Sequence, residues 1–116
     1  MSPGVVYSRG DVVLVRMDFS DRSGSKVRPA LVASSDEYNT ASPDVLIASI
    51  TSNRNAVAHL GDHQIQHWED ANLLKPSLLQ SKLATVESTV IRRKLGSLAP
   101  TDLKAFDSGL RQALSL

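Results

Sequence analysis

The 116 residues include no cysteine, so neither a disulfide framework nor a thiolate metal site is available to this chain. Such a composition suits a reducing cytoplasm. Aromatic residues make up only 4%, which leaves few rings for stacking against bases. Neither sign of charge dominates: 13 Lys and Arg stand against 12 Asp and Glu, a formal net of +1. That balance excludes the whole-surface basic field that marks many nucleic-acid-binding proteins, so any such site must be a local cluster. No apolar run approaches the ~20 residues that a membrane-spanning helix requires. Met1 to Val13 also lacks the basic stretch followed by an apolar core that marks a secretory signal. A soluble, cytoplasmic protein with no membrane association is expected. The glycine-rich phosphate loop and the serine nucleophile elbow are both missing, since Ser23-Gly24-Ser25 fits neither.

What remains is ordinary globular material, 41% apolar and 22% charged, at a length that fits a single domain over residues 1–116. Asp11 to Met17 carries Val12, Val13, Leu14 and Val15, a short β-branched run that predicts a buried strand. Ser20 to Ser25 is dense in turn formers and predicts a loop. Pro29 to Ala33 predicts a second strand, with proline at its first position. Ser35 to Pro43 is polar and reads as another loop, and Asp44 to Thr51 as a third strand. His63 to Trp68 alternates in part and suggests a fourth strand, and Leu83 to Val86 a short fifth. Ser88 to Lys94 suggests a short helix with Gly96 as its stop. Leu103, Phe106, Leu110 and Leu114 recur at helical spacing and give the C-terminal helix its apolar stripe. Pro100 suits its first position and Asp102 its first turn, while Ala99 is a poor cap and Thr101 a good one. Strands followed by helices indicate an α+β domain on a curved antiparallel sheet.

Several residues carry a possible chemistry, each with a plainer reading beside it. Arg28, before Pro29, stands where a loop meets a buried strand; it suits bidentate capture of a phosphate, or is a solvated loop charge. Thr51 and Ser52 end the third strand, where hydroxyls donate to phosphate oxygens or simply start turns. His59, His63 and His67 lie four apart, as on the metal-binding face of a helix, but Gly61 interrupts that helix. No carboxylate or thiolate converges on them, so no metal and no cofactor is expected. Arg92-Arg93-Lys94 reads as a solvated helix face, and Trp68 as core. Arg9-Gly10-Asp11 would be an adhesion tripeptide only in an extracellular loop.

Taken in order, these segments resemble the MazF/PemK (Kid-type) toxins of type II toxin–antitoxin systems. The resemblance rests on Arg9 to Val15, Ser23 to Val32, Val45 to Ser52, Leu74 to Ser77, Lys82 to Val86 and Arg93 to Leu98, and so spans most of the chain. It implies an SH3-like β-barrel of antiparallel strands with a C-terminal helix, assembled as a homodimer. It also implies a sequence-specific endoribonuclease that cleaves single-stranded RNA without a metal, leaving a 2′,3′-cyclic phosphate, and that a cognate antitoxin restrains. The family's arginine falls on Arg28 and its hydroxyl on Thr51, the expected catalytic pair, with Ser52 beside them. The segment from Phe19 to Lys26 would lie over the RNA path, Lys26 adding phosphate affinity and Phe19 a ring for stacking. The resemblance places no general base. A gyrase-poisoning toxin of the same fold, like CcdB, is the alternative, and a non-catalytic SH3-like interaction module a third reading; the apolar Ala113-Leu114-Ser115-Leu116 tail leaves the gyrase reading open.

Overall fold

The computed structural model describes residues 6–18 and 25–116. The expected turn around Ser20 to Gly24, and Phe19 before it, lie outside the described residues. Six strands, β1 (Asp11–Asp18), β2 (Ser25–Val32), β3 (Asp44–Thr51), β4 (His63–Gln64), β5 (Leu78–Glu87) and β6 (Ile91–Ser97), form one antiparallel sheet in the order β4-β5-β3-β2-β1-β6. Among the described residues two α-helices accompany the sheet, α1 (Asp36–Ala41) and α2 (Pro100–Leu114). The ladder is not closed, but β5 and β6 follow one another in sequence from opposite sides of the β3-β2-β1 core, joined by a 3-10 turn at Ser88–Val90.

Alternation along the central strands feeds two cores, one on each face of the sheet. Val12, Leu31, Ala48, Ile50 and Leu79 face Phe106 of α2 and the connecting segment's Ile65, Ala71 and Leu73. Val13, Val15, Ala30, Val32, Val45 and Ile47 form the second core with Ile91, covered by Tyr7, Val86 and Val90. Because β1 to β3 are buried on both faces, they read as continuous apolar runs rather than alternating ones. Pro29 lies inside β2 rather than at its start; the pairing to β3 begins only at Ala30, so a missing N–H costs no bond on that edge.

Several expectations fail for identifiable reasons. Residues 35–43 are not a loop: Ser35 caps α1 by accepting the Tyr38 N–H at 3.0 Å, and Asp36 and Glu37 favour its first turn. Its Asn39 is buried, bonded to the Ser34 hydroxyl and donating to the Tyr7 carbonyl at 2.8 Å. Residues 88–94 are not a helix: after the 3-10 turn, Ile91 onward pairs with β1 as an edge strand whose Arg92, Arg93 and Lys94 are exposed, as suits a strand guarded by charge. Gly96 is therefore no helix stop; a Cβ there would stand 2.8 Å from the Ala71 carbonyl oxygen, so the glycine admits the close approach of the 69–72 turn. The fourth strand ends at Gln64: the Ile65 N–H still reaches the Ser77 carbonyl at 3.0 Å, but the Gln66 and His67 N–H groups turn to the Asp102 side chain of α2, and the fifth runs the full ten residues of β5.

α2 begins with Pro100 at its first position and Ala99 as its cap residue, with no side-chain cap bond. Asp102 faces inward and is 1% exposed. It accepts the His63 ring at 2.7 Å, the Gln66 N–H at 2.8 Å and the His67 N–H at 2.9 Å, tying residues 63–67 to the helix. Burial alone would raise the pKa of Asp102; the hydrogen bonds from Gln66, His63 and His67 outweigh it and hold the carboxyl below its ordinary value. Arg9-Gly10-Asp11 is a structural knot. Arg9 is ion-paired with Asp107 of α2 and donates to the Ala33 carbonyl at 3.1 Å, while Asp11 receives the Ser8 N–H at 2.9 Å and Lys94 at 3.1 Å.

Candidate nucleic-acid interface

Arg28 and Thr51 line the same cleft. The β2–β3 ladder pairs Val32 with Ile47, Leu31 with Ala48 and Ala30 with Ser49, and stops there. Beyond the last pair, Pro29 and Arg28 of β2 and Ile50 and Thr51 of β3 line one cleft. Where the ladder ends, a cleft opens around the end of β3. Its first lobe, of about 560 Å³, has Arg28, Pro29, Thr51 and Ser52 on its lining, with a floor of Leu14, Ile50 and Leu95. A second lobe of about 660 Å³ shares Thr51, Ser52, Asn53 and Lys75 with the first and extends to Arg54, Gln64 and Leu78.

Charge in the cleft is one-sided. Arg28, Lys75 and Arg93 line the first lobe, Lys75 and Arg54 the second, and no Asp, Glu or His lines either among the described residues. A chain with a net charge of +1 thus concentrates cations along one groove, the local cluster that composition left as the only option. Arg93 reaches it through β6: Arg93 pairs with Leu14, and Leu14 with Pro29, so the three share one row across the sheet.

The rim is held by its own hydroxyl and amide groups. Thr51 Oγ1 accepts the Asn53 N–H at 3.1 Å, and Asn53 Oδ1 accepts the Asn55 N–H at 2.9 Å. The turn-forming reading of Thr51 is therefore realised, and it leaves the hydroxyl one proton to donate. On the opposite wall Asn72 adopts φ 60° and donates to the Leu95 carbonyl at 2.7 Å, anchoring the segment that carries Leu73 to Lys75 against β6.

Of the residues expected from sequence, Arg28, Thr51 and Ser52 share the first lobe. Lys26 is exposed on β2 and lines neither lobe, and Phe19 lies outside the described residues. Arg54, Lys75 and Arg93 join the cleft without a sequence signal that marks them as site residues. Arg93 reads from sequence as part of a helix face, and only cross-strand pairing reveals its direction. The histidines occupy different settings: the His59 and His67 side chains are 67% and 53% exposed, and that of His63 is 18% exposed against Asp102. No group of three or more His, Cys, Asp or Glu is placed to hold a metal ion among the described residues, and no helix among them is long and apolar enough to cross a membrane.

Residues 8–114 match the family model described as PemK-like, MazF-like toxin of type II toxin–antitoxin system. The chain is 27% identical over 116 residues to the endoribonuclease MazF6 of Mycobacterium tuberculosis, covering 97% of this chain and all of that protein. The endoribonuclease MazF2 of Mycobacterium bovis is similar to the same extent. Among solved structures, a MazE–MazF complex from Deinococcus radiodurans superposes with a TM-score of 0.76 at 19% identity, covering 97% of this chain and 99% of that one. A mycobacterial endoribonuclease in complex with its cognate antitoxin gives 0.74 at 19% identity, covering 95% of this chain and 96% of that one. These likenesses establish the shared fold: the six-stranded antiparallel sheet with a C-terminal helix is that of the MazF structures.

Proposed function

This chain belongs to the PemK-like, MazF-like toxin family of type II toxin–antitoxin systems, and from that premise we propose that it is a toxin that cleaves single-stranded RNA without a metal ion, works as a homodimer and is restrained by a cognate antitoxin. The observation that carries the reading is the cation-lined cleft in which Arg28 and Thr51 lie together. A polyanion is the natural occupant of such a groove.

RNA brings its own nucleophile, the 2′-OH. The protein has to hold that oxygen in line with phosphorus and stabilise the charge that grows on the phosphate oxygens. Arg28 suits the charge-stabilising role, because its guanidinium is permanently charged and offers a fork of donors, but it is too weak an acid to serve as an ordinary base. Thr51, held by its bond from Asn53, donates its remaining proton to the same phosphate and fixes its pose. Attack by the 2′-oxygen forms the 2′,3′-cyclic phosphate and breaks the bond to the 5′-oxygen, which leaves with a proton as a hydroxyl. Lys26, Ser52 and Phe19 contribute to RNA binding in this reading. The antitoxin's occupant is a flexible acidic segment that lies in the groove and orders on binding, in competition with RNA. The relatives named endoribonucleases, and the solved complexes containing an antitoxin, support both halves of the proposal.

The gyrase reading retains one specific observation, the exposed Leu114 and Leu116 at the end of α2. The tail is tied back to the helix, however, by the Leu116 N–H on the Arg111 carbonyl at 2.8 Å. Purified protein incubated with a long RNA in EDTA separates the readings. Cuts in single-stranded regions with cyclic-phosphate ends are expected; intact RNA together with gyrase-dependent DNA breakage in a parallel reaction would replace the nuclease with the gyrase poison.

A further inference from the structure

The second lobe of the cleft shares Thr51 with the first but extends away from Arg28, and strand pairing gives it a direction. Thr51 pairs with Leu78 on β5, and Leu78 pairs with Gln64 on β4. One row therefore crosses three strands: Thr51, Leu78, Gln64. Residues directly opposite in a ladder share a face, so Gln64 stands on the Thr51 side, two strand spacings or roughly 10 Å from it. The neighbouring row runs from Ile50, on the floor of the first lobe, through Leu79 in the core to His63 on Asp102. The grip of Asp102 on His63 therefore fixes which way Gln64 faces.

Two amides of this lobe are locked in polarity. Gln64 donates one Nε2 proton to the Ser77 carbonyl at 3.0 Å, a group that can only accept, which fixes the amide's orientation and leaves Oε1 as its acceptor beside a second Nε2 proton. Asn53 accepts at Oδ1 from the Asn55 N–H, a group that can only donate, which fixes the amide's orientation and leaves Nδ2 as its donor beside a second lone pair on Oδ1. The lobe thus offers two amides of fixed orientation on a lining that also includes Arg54 and Leu78. A planar ring edge with a neighbouring donor and acceptor, stacked on an Arg plane, is the chemistry this recognises.

We propose that the second lobe is a nucleobase pocket in which Gln64 and Asn53 read the edge of the base next to the scissile phosphate, with Asp102 as a positioning residue acting through His63. This rests on the RNA-cleaving reading for the phosphate but makes a separate claim about sequence choice. Gln64 and Asn53 set specificity and Arg28 and Thr51 set rate, so the two sets of variants should behave differently.

The test compares wild type, Gln64→Met, Asn53→Ala and His63→Phe by mapping cut ends on one long RNA. It adds Kd measurements on Arg28→Ala protein, with and without Gln64→Met, using short single-stranded RNAs in which each position is varied in turn. The expected result is a loss of preference of roughly tenfold at one position flanking the cut in Gln64→Met and Asn53→Ala, with other positions unchanged. His63→Phe should relax the same position while its circular dichroism and thermal midpoint show a folded chain. An unchanged preference at every position, or an equal drop in cutting at all sites, would overturn the pocket while leaving the nuclease intact. If wild type cuts no RNA but Gln64→Met still alters base preference in binding, the pocket stands and the catalytic reading falls. Absence of any RNA binding overturns both.

Discussion

Removing the Asp102 carboxylate should cost this protein a large share of its stability. The side chain is 1% exposed and accepts three hydrogen bonds, two of them from the backbone of Gln66 and His67 and one from the His63 ring. A hydrogen bond to a charged group contributes ~1.5–3 kcal/mol, but Gln66 and His67 are near the surface and water will recover part of what is lost. Asp102→Ala should therefore destabilise by about 3 kcal/mol, against a total of about 5–15 kcal/mol for a domain of this kind. In urea this corresponds to a midpoint lowered by about 1.5 M, taking a slope of ~2 kcal/mol per M. Equilibrium unfolding followed by tryptophan fluorescence reads it, with Trp68 packed against the same core. The sign of the pH dependence follows from the depressed folded pKa: the stabilisation is fully present above the ordinary Asp value and is lost as pH falls through the lower folded one. Wild-type stability should fall steeply across that acid window, and Asp102→Asn more shallowly, the remainder coming from Asp62, whose pKa is also lowered. A midpoint within about 0.3 M of wild type for Asp102→Ala would refute the reasoning, because a difference that small corresponds to less than a single such hydrogen bond.

Two further perturbations act nearer the cleft. Gly96→Ala places a methyl 2.8 Å from the Ala71 carbonyl oxygen and 3.0 Å from its carbon, so thermal denaturation should show a loss of ~1–3 kcal/mol. Cleavage should fall with it, since the displaced turn carries Leu73 to Lys75 along the groove. Arg93→Ala should make RNA binding less salt-dependent, reducing the slope of log K against log salt by about 0.7, the share of one phosphate contact on a single strand. An unchanged slope would remove Arg93 from the RNA path.

Sequence was informative where a segment's pattern is set by its own burial. The run from Asp44 to Thr51 is buried along much of its length, and its composition marks both ends of β3. The stripe of Leu103, Phe106 and Leu110 marks α2 because one face alone packs on the sheet. It was uninformative where a distant partner decides. Arg92-Arg93-Lys94 has no alternation of its own; β6 exists because β1 offers an edge, and two register shifts blur even that pairing. α1 is six residues long, too short for periodicity, and its buried Asn39 looks like a loop residue until Ser34 and Tyr7 supply its partners. The same contrast holds at the cleft. Arg28 and Thr51 could be named from an ordered resemblance, whereas Gln64 and Asn53 owe their polarity to the Ser77 carbonyl and the Asn55 N–H, which no pattern of residue types encodes.

The central claim is that a guanidinium and a hydroxyl on adjacent strands act on one phosphate, and a double-mutant cycle on single-turnover RNA cleavage tests it most directly. Arg28→Ala and Thr51→Ala should each slow cleavage by about 10²–10³, as loss of a transition-state donor does. The double variant should be little slower than the worse single one, because groups serving the same oxygen atoms do not act independently. Multiplying effects, or an Arg28→Ala protein that folds and cuts at the wild-type rate, would contradict it.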